Sequence, residues 1–347
     1  MTATIFVTAA RETNAVLTAS SAVGSNSFTT AASFCPTTRP SGIEWIDGFE
    51  TGRLIGGHGF SQFFTGANTA QLLADTAVAR YGTYSVKVAP NAVATYIEGL
   101  FPVENASGTV RFAVRLASLP SADVELMRIQ PLSGGQPLQL MYHTSTQKFA
   151  LQFVGNTSVE SSSTVSAATW YLIEIKEDMS TTTWSANWRV NKVDQSARTL
   201  SVGATGKWYA FYLGTLSAAT YTANYDDVAV SSTGADYPLG DGKVLILRPN
   251  GMGTHNTSAD FQNNDATAIN STSYQRLDDT PMNTSTDYIK QVTALSTAYI
   301  ELTMADTTET CVRLVQGDLL YDPLNSNQSN NGKTSIFDGS TESIVYS

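Results

Sequence analysis

The stretch Gly108-Thr109-Val110-Arg111-Phe112-Ala113-Val114-Arg115-Leu116 decides the fold class. Val110, Phe112, Val114 and Leu116 fall on one side of an extended chain, with Arg111 and Arg115 on the other. A period of two belongs to a strand with one face on a core and one in water; a helix needs apolar residues three and four apart. The pattern returns at 170–175, where Tyr171, Ile173 and Ile175 oppose Trp170, Leu172 and Glu174. Further runs of strand length lie on both sides: WIDGFE (45–50), YSVKVA (84–89), YIEGLF (96–101), VELMRIQ (124–130), PLQLMYH (137–143), KFALQFV (148–154), WSANWRVN (184–191), KWYAFYLG (207–214) and YDDVAVSS (225–232). Gly, Pro, Asn and Ser separate them and no helical stripe intervenes. The spacing predicts an all-β chain built on an antiparallel β-sandwich of jelly-roll type.

Punctuation divides the chain. Pro36, Pro40 and Gly42 close a polar stretch, so residues 1–42 read as an extended N-terminal arm and 43–233 as the sandwich. TGADYPLGDG (233–242) makes 234–242 a linker, and 243–347 a smaller C-terminal β domain. That last unit offers KVLILRP (243–249), AYIELTMA (298–305), CVRLVQGDLLY (311–321) and TESIVYS (341–347). A complete sandwich takes about seven strands, so the unit is expected to be incomplete and to cover its open edges with strands from a neighbouring subunit.

Charged residues make up 14% of the 347 residues, against about 25% in an average domain; hydroxyls and aromatics stand in for them, as on strand-rich surfaces. The net charge of −10 and the lack of a Lys/Arg cluster argue against nucleic-acid phosphates or an anionic membrane as partners. No apolar run reaches the roughly 18 residues of a membrane helix. The opening MTATIFVTAARETNAV has no basic segment leading into a sustained apolar core, so no secretory leader is expected. Cys35 and Cys311 stand far apart; they read either as two thiols or as a disulfide from the arm to the second domain.

Two stretches carry a resemblance. IEWIDGFETG (43–52) and RYGTYSVKV (80–88) resemble the first strands of concanavalin A-like, laminin G-like jelly rolls. YDDVAVSSTGADYPLGDGKVLILRPNGMGTHN (225–256), leading into LDDTPMNTSTDYI (277–289), resembles a group of tailed-bacteriophage virion proteins. Their lectin-like sandwich ends in a DDV or DDI strand, followed by a GDG.V strand and a D..P.....YI loop. The resemblance spans residues 43–320 and implies a virion structural protein: a capsid decoration, minor capsid or tail-associated component. Its partners would be other virion proteins and further copies of itself in a symmetric assembly, held through the arm and the C-terminal region. It would be made in the host cytoplasm and leave in the particle. The alternative is a carbohydrate-binding adhesin of the virion surface or tail fibre that attaches to host glycans.

Catalytic constellations are weak. Glycosidases on lectin-like jelly rolls place two carboxylates on one strand face. The nearest candidates are Glu44/Asp47, Glu174/Glu177/Asp178 and Asp226/Asp227. Odd spacing separates Glu44 from Asp47, and Glu174 with Asp178 reads as solvated charge at a strand end. His58, His143 and His255 are isolated, and no Gly-x-Ser-x-Gly elbow occurs. The chain is therefore expected not to be an enzyme and to need no cofactor, calcium excepted. Laminin G-like modules often hold calcium at one rim, and Asp226 and Asp227, with Asp47 and Glu50, are the candidate ligands. The competing reading has Asp226 and Asp227 accept from neighbouring backbone N–H groups. Trp184, Trp188 and Trp208, beside Tyr209 and Tyr212, are the candidate carbohydrate-binding residues if their rings face water, and core residues if they face inward.

Overall fold

The computed structural model describes residues 2–9, 42–52, 54, 62–64, 71–101, 104–132, 135–252, 261–263, 265–277, 289–291, 302–304, 314–320, 334–337 and 342–346. It is an all-β chain of two compact units: Thr38–Glu50 with Leu54–Val244, and Met1–Thr37 with Thr51–Arg53 and Leu245–Ser347. No helix among the described residues is long and apolar enough to cross a membrane. Cys35, Cys311, His58 and His255 lie outside the described residues.

The larger unit is an antiparallel β-sandwich. One sheet of seven strands runs, edge to edge, β11 (Val159–Glu160), β10 (Lys148–Phe153), β9 (Leu138–His143), β8 (Val124–Pro131), β16 (Trp208–Thr220), β6 (Asn91–Leu100) and β3 (Gln62–Phe64). The other has nine strands. Its main path is β14 (Val193–Asp194), β13 (Thr183–Val190), β12 (Trp170–Asp178), β7 (Ser107–Leu116), β17 (Ala223–Ser231), β5 (Ser85–Val88) and β4 (Leu72–Asp75). β15 (Arg198–Ser201) joins β13, and β2 (Ile43–Asp47) joins β17.

The inner faces meet in one core. Val110, Phe112, Val114 and Leu116 of β7 and Tyr171, Ile173 and Ile175 of β12 all belong to it, as their alternation predicts. Rings cross between the sheets: Phe112 to Phe211 at 6.0 Å, Phe149 to Tyr171 at 5.2 Å and Phe153 to Trp184 at 6.3 Å between centroids. Tyr225 Oη ties β17 to the facing sheet by donating to Leu126 O, and Tyr221, in the turn from β16 to β17, donates its Oη to Glu125 O. A buried phenol needs such a partner, so these bonds fix how the sheets face each other.

The outer face of the nine-stranded sheet corrects three expectations. Arg111, expected in water beside Arg115, is only 2% exposed. Residues 234–242, expected to be a linker, fold down over that face as a strap. Arg111 donates Nη1 to Gly240 O and Nε and Nη2 to Asp227 O. Glu174, expected to be solvated, is buried and accepts from Gly240 N at 2.6 Å. Thr109 Oγ1 donates to Thr233 O. The strap buries Leu239 and supplies polar partners to a face on which only Arg115 keeps partial exposure among β7's two arginines.

The smaller unit corrects a fourth. Its three-stranded sheet runs β18 (Lys243–Leu247), β1 (Thr2–Ala9) and β23 (Leu314–Leu320). β1 pairs antiparallel with β23 from Thr2↔Leu320 to Thr8↔Leu314. The missing strand thus comes from the chain's own N-terminus, and part of the expected arm belongs to the second domain. The physical reason is the expected one: an open edge gains main-chain hydrogen bonds from any extended segment within reach. Three further ladders join β19 (Pro249–Met252) to β22 (Leu302–Met304), β20 (Phe261–Asn263) to β21 (Ile289–Gln291), and β24 (Thr334–Phe337) to β25 (Glu342–Tyr346). Phe261, Leu277 and Ile289 form a small core there.

Candidate functional site

Asp226 and Asp227 lie at an irregularity of β17. Asp227 takes φ of 51°, where the register against β7 shifts between Asp226 and Ala229. Left-handed backbone is costly for most residues but tolerated by Asp and Asn. Asp226 Oδ1 accepts from Asp227 N at 2.7 Å and its Oδ2 from Arg80 N at 2.8 Å. Asp227 Oδ1 accepts from Val244 N at 2.8 Å and its Oδ2 from Arg80 Nη1 at 3.0 Å. Arg80 Nη2 reaches Asp241 Oδ1 at 2.7 Å, and Arg80 also lies over the Tyr81 ring.

The other two candidate ligands behave alike. Asp47 Oδ1 accepts from Phe49 N, and the Glu50 carboxylate accepts from Thr83 N and Tyr84 N. Gly82 makes this last contact feasible: it has φ of +70°, and a Cβ there would stand 2.1 Å from Glu50 Oε1. Burial pushes the Asp226 carboxyl well up, helped by the adjacent Asp227 charge. Burial raises Asp227 as well, while the Arg111 and Arg80 guanidiniums act against it.

These groups do not fit a calcium ion. All four oxygens of Asp226 and Asp227 already accept from donors of the chain, and Arg80 supplies the positive charge opposite them. Among the described residues no three His, Cys, Asp or Glu side chains gather as metal ligands. The reading of Asp226 and Asp227 as backbone acceptors describes the arrangement; as calcium ligands they are corrected.

The candidate sugar-stacking residues are corrected too. Trp184, Trp188 and Trp208 are at most 1% exposed. Trp184 Nε1 donates to Ala204 O and Trp188 Nε1 to Ser196 O, each at 2.9 Å. Trp208 packs on Phe101 at 4.7 Å and closely over Gly108, where a Cβ would meet its ring at 2.5 Å. No ring face is open to a sugar. Beneath Trp208 lies Glu177, 1% exposed, on the core side of β12 while Glu174 is on the strap side. Opposite faces cannot form a catalytic pair. Burial pushes the Glu177 carboxyl up to about 8, against a smaller opposing effect of the Trp208 indole. Neither Glu177 Oε2 nor Trp208 Nε1 completes a hydrogen bond of good geometry.

The outer face of the seven-stranded sheet holds residues that sequence reasoning missed. Five polar side chains stand in register across five adjacent strands: Glu98 on β6, Tyr212 on β16, Arg128 on β8, Gln139 on β9 and Gln152 on β10. Tyr212 Oη donates to Glu98 Oε1 at 2.6 Å, and Gln152 Nε2 to Gln139 Oε1 at 3.3 Å. Arg128 grips Glu125 through Nε at 2.6 Å and Nη2 at 2.8 Å. Tyr96 meets the Tyr212 ring edge-on at 5.2 Å. Burial, then the hydrogen bond and charge of Glu98, push the Tyr212 phenol far above its ordinary range, so it stays a protonated donor and is a poor nucleophile.

No known protein family matches the sequence, and no curated protein does. Solved structures give remote likenesses. Trypanosoma rangeli sialidase in complex with 2,3-difluorosialic acid is 12% identical with a TM-score of 0.36, over 50% of this chain and 30% of that one. Domain 4 of AbnA, a GH43 extracellular arabinanase from Geobacillus stearothermophilus, in complex with arabinotriose, is 11% identical with a TM-score of 0.42, over 55% of this chain and 92% of that one. The chain thus spans under a third of the length of the sialidase it matches. Both likenesses are too remote to assign an activity.

Proposed function

We propose that this chain is a non-enzymatic structural component of a bacteriophage particle. One observation carries the reading. The stretch that resembles lectin-like jelly rolls and the stretch that resembles phage virion proteins are far apart in sequence, yet Asp226, Asp227 and Asp241 of the second close directly on Arg80 of the first. The resemblance therefore falls on residues that hold a sandwich together, as expected of proteins that share a building block and no chemistry. The carboxylates that could have served a hydrolase are engaged as acceptors or lie on opposite faces. In this reading the partners are other virion proteins and further copies of the chain, and the chain leaves the host in the particle. Fold alone does not decide function, so the test is physical association. Antibody raised against the purified chain should decorate intact particles in electron micrographs; label confined to the soluble lysate would refute the assignment.

A further inference from the structure

We propose that the end of the seven-stranded sheet around Tyr209 is a contact surface for a second copy of this chain. The inference rests on the proposed function only for the idea that copies meet. It is measured on the purified chain, so its failure and that of the particle assignment are told apart.

Few large apolar side chains reach water. Among the described residues six do: Leu73, Tyr81, Leu100, Leu132, Val193 and Tyr209. Three of them stand apart, Leu73 on β4, Tyr81 between β4 and β5, and Val193 on β14. The other three gather at neighbouring positions. Leu100 ends β6 opposite Ala210 of β16, and Phe101 N donates to Tyr209 O at 3.0 Å. On the other flank of β16, Leu132 N donates to Lys207 O at 2.8 Å. Tyr209 therefore stands between Leu100 and Leu132, and the three are 42%, 41% and 43% exposed. A register shift between Trp208 and Ala210 explains how two adjacent rings part: Trp208 enters the core and Tyr209 stays outside. Leu100 shares its face with Glu98, two residues back, and the Tyr209 phenol lies close enough to Tyr212 to help raise it. The patch is thus on the outer face of the sheet.

Charge identifies the occupant. With a net charge of −10, two copies repel each other over most of their surface. This patch instead carries one charge of each sign at its rim. Lys207 Nζ donates to Glu104 Oε2 at 2.9 Å, and the two side chains are 54% and 56% exposed. An apolar centre with a balanced rim is complementary to itself. In a two-fold dimer Tyr209 packs near the axis against its counterpart, and Lys207 of each copy faces Glu104 of the other. A strongly basic or acidic partner would gain from only one of the two charges. Three side chains make a small centre beside the roughly 800 Å² per partner of a standard interface. The dimer is therefore weak in solution and strengthens where copies are held close together.

Sedimentation velocity of the full chain over a wide concentration range should show a weak monomer–dimer equilibrium. Tyr209→Asp should weaken it about tenfold or more, as for a central aromatic anchor, with an unchanged melting temperature. Leu73→Asp, on the edge strand β4, is the control and should dimerise like the wild type. The ion pair gives the sharper reading. Lys207→Glu alone brings two carboxylates together at each crossing and Glu104→Lys alone two ammonium groups, so each variant should dimerise less than the wild type. Mixed, with one of them isotope-labelled, the two variants should form a one-to-one heterodimer in native mass spectrometry in preference to either homodimer, because both crossings then join opposite signs. A chain that is monomeric at every concentration, a dimer that Tyr209→Asp leaves intact or Leu73→Asp abolishes, or a mixture without preference for the heterodimer would overturn the proposal.

Discussion

Removing the Arg111 guanidinium takes the donor away from two buried carbonyls, those of Asp227 and Gly240. It also withdraws a positive charge from beside the Asp227 carboxylate. Arg111→Ala should therefore lose roughly 3–5 kcal/mol of stability, and Arg115→Ala within about 0.5 kcal/mol, read from denaturant midpoints; equal losses would contradict the buried assignment. Glu177 gives a pH signature. Its folded-state value of about 8 lies above the ordinary 4.5. As pH rises through that interval the unfolded chain sheds the proton while the folded chain keeps it, so stability falls, and above about 8 it levels off. Glu177→Gln should stabilise the fold at pH 8 by on the order of a few kcal/mol and flatten the fall of the melting temperature from pH 5 to pH 8. Overlapping pH profiles of the two proteins would show that Glu177 is not held neutral. The sequence could signal neither residue's burial. Period two tells which side chains share a face, as for Trp184 with Trp188, and says nothing of what covers it. Arg111 is covered by a strap far downstream, and Glu177 by an indole on the facing sheet.

At the scale of elements, alternation and turn residues placed the strands of the sandwich well, because each strand of β7 or β12 type carries its own core face. Pairing is another matter. The five-residue row on the seven-stranded sheet exists only through the registers of four strand pairs, and no local pattern encodes register between distant strands. β1 makes the same point: TATIFVTA (2–9) read as part of an arm, and its place between β18 and β23 depends on edges contributed from the other end of the chain. A variant lacking residues 1–9 should lose amide protection at Leu314–Leu320 in hydrogen exchange, since those amides lose their ladder partner, while β7 keeps its own. Undiminished protection at 314–320 would mean that β23 finds its hydrogen bonds elsewhere.

For the whole molecule, a sandwich locked by buried polar networks is proposed as a component of a phage particle. Asp47, Glu50, Asp226, Asp227 and Glu174 all accept from backbone N–H groups, so these carboxylates serve as locks of the sandwich. Quantitative mass spectrometry of phage particles, carried through successive density gradients, tests the central claim most directly. Peptides of this chain should stay in a fixed ratio to the major capsid protein at every step. A ratio that falls towards zero with each gradient, the chain remaining in the soluble fraction, would contradict the account.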